Sequence, residues 1–327
     1  MLKEISIEII RKCPNHCLHC SSLSDECCSE VLEYDLFTSV VRDAAELGAK
    51  TICLSGGEPF LHDRITDMVR FVASLGLQCY IYTSGIVYNT EGRRAFIEKD
   101  ILGSISKDVT KLIFNLEAAT ARTYDSIMGT TGCFEIMKQS VCNTHEMGII
   151  TEAHFVPMRL NISEIREMVV LCKELNVSKV SFLRLVLHGR AQIHESKIAL
   201  SDEEYKRVQV VLEEMKEQAE VDIRIGVPLS FHSECHKCEA ARGKLNIKYD
   251  GKVFPCEVFK NERMAYCLKG MQPESIYEHS LADIYHNSPY LQLVRDLEQE
   301  FSCSGECETC VGQYLISKEE KGTYDKK

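Results

Sequence analysis

The sequence predicts an α/β protein with a parallel sheet, followed by a smaller cysteine-rich domain. Three observations support this fold class. Short apolar strand patterns alternate with helix patterns of about 10–15 residues, which is typical of parallel strands joined by helices. Few helical patterns follow residue 221. Six of the nine clustered cysteines lie in the last hundred residues, where a metal could stabilise a small domain.

Six strand–helix units are predicted up to about residue 220. The predicted strands span residues 4–10, 50–56, 77–85, 111–117, 149–158 and 179–186. The clearest helix patterns span residues 35–48, 64–76, 132–148 and 162–176, and the segment 118–129 reads as a polar connection. In parallel sheets of this kind, the chemistry lies at the carboxyl ends of the strands.

Length, composition and charge set limits on the function. The 327 residues suit one large domain and one smaller one, and we expect domains at 1–220 and 221–316 with a polar tail at 317–327. A net charge of -11 argues against a nucleic-acid partner. No apolar run reaches the roughly 18 residues that span a bilayer. The first residues lack a signal-peptide pattern. We therefore expect a cytoplasmic protein with no membrane association.

Cysteine is the unusual component, with 17 copies in the chain. In a reducing cytosol, clustered cysteines are metal ligands or catalytic groups more often than disulfides. The clusters are Cys13/Cys17/Cys20, Cys235/Cys238/Cys256 and Cys303/Cys307/Cys310. The remaining cysteines lack such spacing, and we expect them to be small buried hydrophobic residues. They are Cys27, Cys28, Cys53, Cys79, Cys133, Cys142, Cys172 and Cys267.

The first cluster, Cys13-x3-Cys17-x2-Cys20, follows the first predicted strand. Structural zinc sites are normally closed by four ligands, and this short segment offers three thiols. His16 or His19 could complete a zinc site. The alternative is an iron–sulfur cluster with one iron left free to hold a small ligand.

Together with "SGGEP" (residues 55–59) after the second strand, the cysteine triad resembles the radical S-adenosylmethionine (SAM) superfamily. The resemblance covers residues 5 to about 190. It implies a partial (β/α)6 TIM-like barrel with a [4Fe-4S] cluster held by Cys13, Cys17 and Cys20. SAM would occupy the open iron site.

The resemblance also implies a set of SAM-binding residues. In the "GGEP" segment, glycines let the backbone approach a ligand closely, and Glu58 would accept hydrogen bonds from the methionine ammonium group. In "YDSIMG" (residues 124–129), Met128 stands where the family has arginine, so no arginine clamp is expected there. The implied cofactor-binding residues are Gly56, Gly57, Glu58, Pro59, Ser84, Asn115 and Arg190.

The C-terminal cysteines frame a predicted hairpin. "NIKYDGKVFPC" (residues 246–256) reads as two strands joined through "DG", which would bring Cys256 beside Cys235 and Cys238. A zinc ribbon is one interpretation. The pattern also resembles the SPASM and twitch extensions of radical SAM enzymes, which implies at least one auxiliary [4Fe-4S] cluster. Its ligands would come from Cys235, Cys238, Cys256, Cys303, Cys307 and Cys310, too few for two fully cysteine-ligated clusters.

Two residues of this region are candidate catalytic groups. Cys235, if it is not a ligand, could donate a hydrogen atom from its thiol to a substrate radical. Glu257 follows Cys256 directly, and in sulfatase-maturating relatives an acidic residue at this place acts as a base.

The resemblance implies a radical SAM enzyme that reductively cleaves SAM to a 5′-deoxyadenosyl radical and abstracts a hydrogen atom from its substrate. The substrate we favour is a peptide or protein side chain, as in the maturation of ribosomally made peptides by cross-linking, epimerisation or oxidation. A flavodoxin- or ferredoxin-type protein would donate the electron. Two alternatives stay open: a small-molecule substrate in cofactor or sugar biosynthesis, and a zinc-stapled binding module without catalysis.

Overall fold

A computed structural model describes most of the chain. The described residues are 1–226, 229, 238–261, 263–268, 270–303, 310–312 and 315. The predicted ligands Cys235 and Cys307 and the predicted tail 317–327 lie outside these residues.

A nine-stranded sheet forms the framework, in the order β11-β10-β1-β2-β3-β6-β7-β8-β9. Neighbouring strands are parallel throughout, except that β11 runs antiparallel to β10. The nine strands of this sheet are β1 (Glu4–Ile10), β2 (Thr51–Gly56), β3 (Gln78–Thr83), β6 (Lys111–Asn115), β7 (Ile150–Phe155), β8 (Lys179–Phe182), β9 (Asp222–Ile225), β10 (Lys244–Ile247) and β11 (Val253–Phe254). Strands β4 (Ile86–Tyr88) and β5 (Arg94–Phe96) pair antiparallel in a separate two-stranded sheet. The predicted α/β class with a parallel sheet is confirmed, and all six predicted strands are present.

Twelve α-helices connect and flank the strands within the described residues. They are α1 (Tyr34–Glu46), α2 (Ile65–Ser74), α3 (Lys99–Ile105), α4 (Ala121–Met128), α5 (Cys133–Glu146), α6 (Ile165–Glu174), α7 (Arg190–Ile193), α8 (Glu195–Ile198), α9 (Asp202–Gln218), α10 (Met264–Cys267), α11 (Leu281–Asn287) and α12 (Pro289–Cys303). In this part of the chain, no helix is both long and apolar enough to cross a membrane.

The alternation of β1 explains why the sheet has an apolar face and a polar face. Ile5, Ile7 and Ile9 are fully buried in the hydrophobic core. The intervening residues, Ser6 and Glu8, line a cavity on the other face. Because side chains alternate along a strand, the sequence "EISIEII" indicates which residues face the core and which face the cavity.

The expectation of a polar connection at residues 118–129 is wrong. Helix α4 occupies residues 121–128 of that segment. Thr120 caps its first turn by accepting a hydrogen bond from the Thr123 amide, and Gly129 ends it in the left-handed conformation. Its apolar face is short, with Tyr124, Ile127 and Met128 buried, so the periodic pattern was too brief to stand out.

Strand β9 continues the sheet beyond the predicted domain boundary at residue 220. It pairs in parallel with β8, from Lys179 opposite Asp222 to Phe182 opposite Ile225. At the other end of the sheet, β10 pairs in parallel with β1. The predicted hairpin is confirmed as β10–β11, and its turn residue Gly251 has a φ of 81°. The hairpin therefore extends the same sheet, and the domain boundaries stay a prediction.

Gly85, which follows β3, cannot accept a side chain without strain. Its φ is 73°, and an added Cβ would lie 2.8 Å from the buried ring of Phe114. We expect Gly85→Ala to cost about 2–5 kcal/mol, because a left-handed backbone costs roughly 1–2 kcal/mol and overpacking roughly 1–3 kcal/mol. Gly92→Ala is the matched control, since Gly92 has a φ of 74° with nothing within 4 Å. Urea unfolding at neutral pH measures both variants, and equal losses would contradict the packing argument.

Candidate active site

A cavity of about 700 Å³ opens inside the curved sheet. Cys13, Cys17 and Cys20 all line it, as do residues at the carboxyl ends of the strands that follow. Of the other predicted site residues, Gly56, Gly57, Ser84, Asn115, Arg190, Cys256 and Glu257 also line the cavity. The structure thus brings together the cysteine triad, most of the predicted SAM contacts and one residue pair of the C-terminal region.

The three cysteines lie on an irregular segment that we call the cysteine loop, residues 11–24. Hydrogen bonds to the last carbonyls of helix α4 hold the middle of this loop in place. The amide of His16 donates to the carbonyl of Met128 at 3.0 Å, and the amide of Leu18 donates to that of Ile127 at 2.9 Å. The last carbonyls of a helix have no partner inside the helix, so they are free to accept these bonds.

Arg190 fixes the second half of the cysteine loop. Its Nε donates to the carbonyl of Cys17 at 2.8 Å, and its Nη2 donates to that of Ser24 at 2.5 Å. Its backbone amide also donates to the carbonyl of Cys20 at 2.9 Å. Arg190 is 4% exposed, so these three bonds satisfy half of its six N–H donors in a buried setting. The structure shows Arg190 as a support of the loop, and its predicted direct contact with SAM stays a prediction.

Gly56 and Gly57 are required by a close backbone approach within the protein, and their predicted approach to a ligand stays a prediction. We expected them to let the backbone approach a ligand. A Cβ at either glycine would lie 2.1 Å from a backbone carbonyl oxygen, that of Ile10 or Lys12. The amide of Gly57 donates to the Ile10 carbonyl at 2.7 Å. The absence of a Cβ at these two glycines therefore lets the backbone that leads into the cysteine loop pack directly against them.

Two further glycines press on the same loop and were missed by the sequence analysis. A Cβ at Gly129 would lie 2.5 Å from the carbonyl oxygen of His16, and one at Gly189 would lie 2.5 Å from that of Ser21. Both glycines have left-handed φ angles, 66° and 59°. Gly129 lies in the quoted "YDSIMG", but only the fold shows that a loop more than a hundred residues away touches it.

Glu58 is fully buried, and its carboxylate accepts hydrogen bonds from residues at the end of β3. It accepts from Thr83 Oγ1 at 2.7 Å, from the Ser84 amide at 2.9 Å and from Ser84 Oγ at 2.6 Å. Burial raises the pKa of Glu58 in spite of these bonds. Its carboxylate therefore orients Ser84, which lines the cavity. The predicted contact of Glu58 with an ammonium group stays a prediction, and Pro59 begins the turn that follows.

The thiols of the cysteine loop are close enough to affect one another. Burial raises the pKa of Cys13, and neighbouring Cys17 and Glu58 raise it further. Burial also raises the pKa of Cys17, and Cys20 adds to the effect. Three thiolates in one place need a strong positive partner. A cationic cluster of iron satisfies that need, so the donor set fits an iron–sulfur cluster.

Buried polar atoms without partners mark the same place. Asn15 is 2% exposed and lines the cavity, and neither its amide oxygen nor its amide nitrogen has a hydrogen-bond partner among the described residues. His19 faces Glu117, with Nε2 3.2 Å from Oε1, while its Nδ1 is likewise without a partner there. Such orphaned groups are rare in proteins and fit a site that binds a polar ligand. Asn15 and Glu117 were not among the predicted site residues.

Three of the six predicted auxiliary ligands converge in the C-terminal region. Burial raises the pKa of Cys256 to about 12, and Cys310 and Cys238 contribute to this increase. Burial likewise raises the pKa of Cys238, with Cys310 adding to it. Cys303 is the last residue of α12. Among the described residues, no three Cys, His, Asp or Glu side chains are arranged to hold a single metal ion.

A buried chain of charges joins the cysteine loop to the auxiliary cysteines. Ser22 Oγ donates to Glu8 at 2.6 Å, and Glu8 pairs with Lys260. Lys260 also lies 2.6 Å from Glu257, which in turn accepts from Asn246. Burial alone would raise the pKa of Glu8, but Lys260 and Ser22 outweigh it and lower that pKa. The predicted base Glu257 is thus half-exposed at the cavity and held by an ammonium group.

Comparisons with known proteins agree with this site. The model of the radical SAM superfamily matches residues 7–172, and the SPASM model, an iron–sulfur cluster-binding domain, matches residues 238–311. The chain is 26% identical over 287 residues to the PqqA peptide cyclase of Rhizobium meliloti, covering 86% of this chain and 72% of that protein. It is 27% identical over 297 residues to the PqqA peptide cyclase of Methylocella silvestris, covering 89% and 76%.

Solved structures share the fold at low sequence identity. Streptococcus suis SuiB bound to the precursor peptide SuiA has a TM-score of 0.72 and 18% identity, covering 90% of this chain and 67% of that chain. The anSMEcpe structure with bound AdoMet and the Kp18Cys peptide has a TM-score of 0.66 and 13% identity, covering 91% and 84%. These likenesses confirm the fold inferred from the cysteine triad and "GGEP".

We expect Glu8→Gln to destabilise the protein by about 3 kcal/mol at pH 7, because it leaves Lys260 buried with one carboxylate fewer. Glu30→Gln, which breaks an exposed pair with Arg11, is the control and should cost at most about 1 kcal/mol. Since the folded pKa of Glu8 lies below its ordinary 4.5, its contribution is complete above that pH and disappears as the pH falls through the folded pKa. Urea unfolding at pH 7 and pH 4 measures this, and equal losses in both variants at pH 7 would contradict it.

Proposed function

The chain belongs to the radical SAM superfamily, and we propose that it is an enzyme that modifies a ribosomally made peptide. One observation carries the proposal. The three thiols of the cysteine loop line a single cavity together with orphaned polar groups, in a chain that also has a SPASM domain. A binding module would need neither an open thiol triad nor a cavity of this size beside it.

The cofactors are a [4Fe-4S] cluster with an open iron site, SAM and an auxiliary [4Fe-4S] cluster. When bound, the first cluster and SAM supply a 5′-deoxyadenosyl radical that removes a hydrogen atom from the substrate. Cys13, Cys17 and Cys20 would hold the first cluster. The protein's own part is to place these thiols, to orient the cofactor and to keep water from the reacting atoms.

The residues around the triad divide this work. Arg190 and the surrounding glycines position the cysteine loop. Ser84 and Asn115, at the ends of β3 and β6, line the cavity where SAM would lie. Glu58 keeps Ser84 in place, while the amide of Asn15 would satisfy its free donors and acceptors on the bound cofactor. Gly56 and Gly57 shape the adjoining wall, and the predicted contact of Pro59 with the cofactor is kept as part of this proposal.

The C-terminal region contributes the auxiliary cluster and a candidate base. Its proposed ligands are Cys238, Cys256 and Cys310, with Cys235, Cys303 and Cys307 available to complete the set. Glu257 would act as a base at the cavity when the substrate is oxidised. The proposed hydrogen-atom donor Cys235 lies outside the described residues. We keep the division into 1–220, 221–316 and the tail 317–327 as part of this proposal.

A peptide is the substrate class with the most support. The PqqA peptide cyclases align with most of this chain, and a cavity of about 700 Å³ is in the usual range for a site that takes a small ligand or a side chain. The modification would be a cross-link, an epimerisation or an oxidation. A small-molecule substrate and a zinc-stapled module are not favoured. A flavodoxin or ferredoxin would supply the electron, and we place the reaction in the cytoplasm.

The test is to replace Cys13, Cys17 and Cys20 together by alanine. After anaerobic reconstitution with iron and sulfide, the unchanged protein should hold about eight irons and form 5′-deoxyadenosine from SAM under reducing conditions. The triple variant should keep about four irons and form none, because its auxiliary ligands are intact. Cys172→Ala, at a buried cysteine of helix α6, is the control and should behave like the unchanged protein.

Product and iron content together separate the possible failures. Continued SAM cleavage by the triple variant would mean that these cysteines do not hold the open cluster. A colourless protein that binds only zinc would contradict the proposed function altogether. Transfer of deuterium from a labelled candidate peptide to 5′-deoxyadenosine would establish the peptide as the substrate.

A further inference from the structure

Four adjacent strands, β6 to β9, present a row of polar side chains to the cavity. Asn115 is opposite His154, His154 is opposite Ser181, and Ser181 is opposite Arg224. All four residues line the cavity. Strand β9 is the last strand at its end of the sheet. The row therefore runs from the proposed SAM contact Asn115 to an edge of the curved sheet.

The polar side-chain atoms of this row have no hydrogen-bond or ion-pair partners within the part of the chain that the structure describes, while the His154 ring packs against that of Tyr82. No hydrogen bond or ion pair joins His154, Ser181 or Arg224 through its side chain to another described residue. The charged residues nearer to the starts of these strands differ, because they are paired already. Lys111 lies 2.9 Å from Glu152, and Lys179 lies 2.9 Å from Asp222. The row thus offers unused donors and acceptors, whereas its neighbours offer few.

Two cations, Arg224 and Lys111, act on the histidine of the row. Burial lowers the pKa of His154 to about 3, and Arg224 and Lys111 lower it further. The imidazole is therefore neutral at physiological pH and can donate or accept a hydrogen bond. Arg224 also lowers the pKa of Lys179, although Asp222 raises that pKa by more. Arg224 is exposed and lines the cavity, and no carboxylate pairs with it among the described residues, so its guanidinium group is open to an anion.

We propose that Arg224 binds a carboxylate of the peptide substrate and that His154 and Ser181 hold the adjoining part of that peptide. The proposal rests on the peptide-modifying function and adds to it the kind of substrate. The guanidinium fork matches a carboxylate through two parallel hydrogen bonds, which gives both affinity and orientation. The carboxylate could belong to an acidic side chain or to the C-terminus of the peptide.

The geometry of the sheet sets the distance between Arg224, which would hold the carboxylate, and Asn115, the proposed contact with SAM. Three strand spacings of roughly 4.8 Å separate Arg224 from Asn115 along the row, or at most about 14 Å. An extended peptide covers that distance with about four residues. The anchored carboxylate would therefore lie a few residues from the modified one. Arg224 would select the peptide and align it, without touching the reacting atoms.

Binding of short peptides to the cluster-loaded protein tests the proposal without turnover. The probes are three N-acetylated tetrapeptides: one with a glutamate and an amidated C-terminus, one with glutamine and a free C-terminus, and one with glutamine and an amidated C-terminus. Dissociation constants are measured by calorimetry for the unchanged protein, Arg224→Gln, Arg224→Lys and Arg166→Gln. Arg166 is the matched control, because it is exposed on α6 and pairs with Glu214 outside the cavity.

We expect at least one acidic probe to bind about tenfold more tightly than the neutral probe in the unchanged protein and in Arg166→Gln. The preferred acidic probe identifies the source of the carboxylate. Arg224→Gln should abolish the preference, and Arg224→Lys should keep part of it, because lysine retains the charge but not the fork. The affinity for SAM should be the same in all four proteins.

Three results would overturn the proposal. The unchanged protein could show no preference for an acidic probe, or Arg224→Gln could leave the preference intact. A matching loss of SAM affinity in Arg224→Gln would assign the arginine to the cofactor instead. Failure of the proposed function shows separately, as a lack of 5′-deoxyadenosine in the unchanged protein.

Discussion

The structure depends on how the polar backbone of an irregular, buried loop is satisfied. The cysteine loop has no regular secondary structure, and buried carbonyls without partners are costly. Donors from distant parts of the chain supply what the loop lacks. The carbonyls of Lys12, Pro14, Cys17 and Cys20 accept, respectively, from the Glu58 amide, Arg94 Nε, Arg190 Nε and the Arg190 amide, at distances of 2.8–2.9 Å. The protein itself therefore holds the three thiols around one cavity.

The same principle extends from the loop to the second cluster region. Ser22, at the end of the cysteine loop, donates to Glu8, and Glu8 pairs with Lys260 just beyond Cys256. A buried ion pair often adds little net stability, because desolvation offsets the attraction. Its value here is positional, since it requires the turn after β11 to stay beside β1. Cys256 of the C-terminal group consequently lines the same cavity as the three cysteines of the loop.

Much of the fold and the chemistry could be predicted, because their signals are local. Alternating or continuous apolar runs located six strands, "DG" located the hairpin, and the spacing of Cys13, Cys17 and Cys20 indicated an open metal site. The rest depends on contacts between distant segments. Gly57 is needed because the backbone carbonyl of Lys12, just beyond the end of β1, leaves no room for a Cβ atom. The hydrogen-bond partners of Glu58 come from the end of β3. Helix α4 was missed although Thr120 and Gly129 mark its ends, because its apolar face is short.

Amide hydrogen exchange of the cysteine loop, in protein prepared without iron, tests most directly the claim that the fold positions the loop. The amides of His16 and Leu18 are the best reporters, since they donate to carbonyls of Met128 and Ile127. Exchange that is slowed many-fold without iron, and changes little after the cluster is loaded, is the predicted result. Exchange as fast as in an unstructured peptide until the cluster is loaded would contradict it, because the cluster and not the fold would then order the loop.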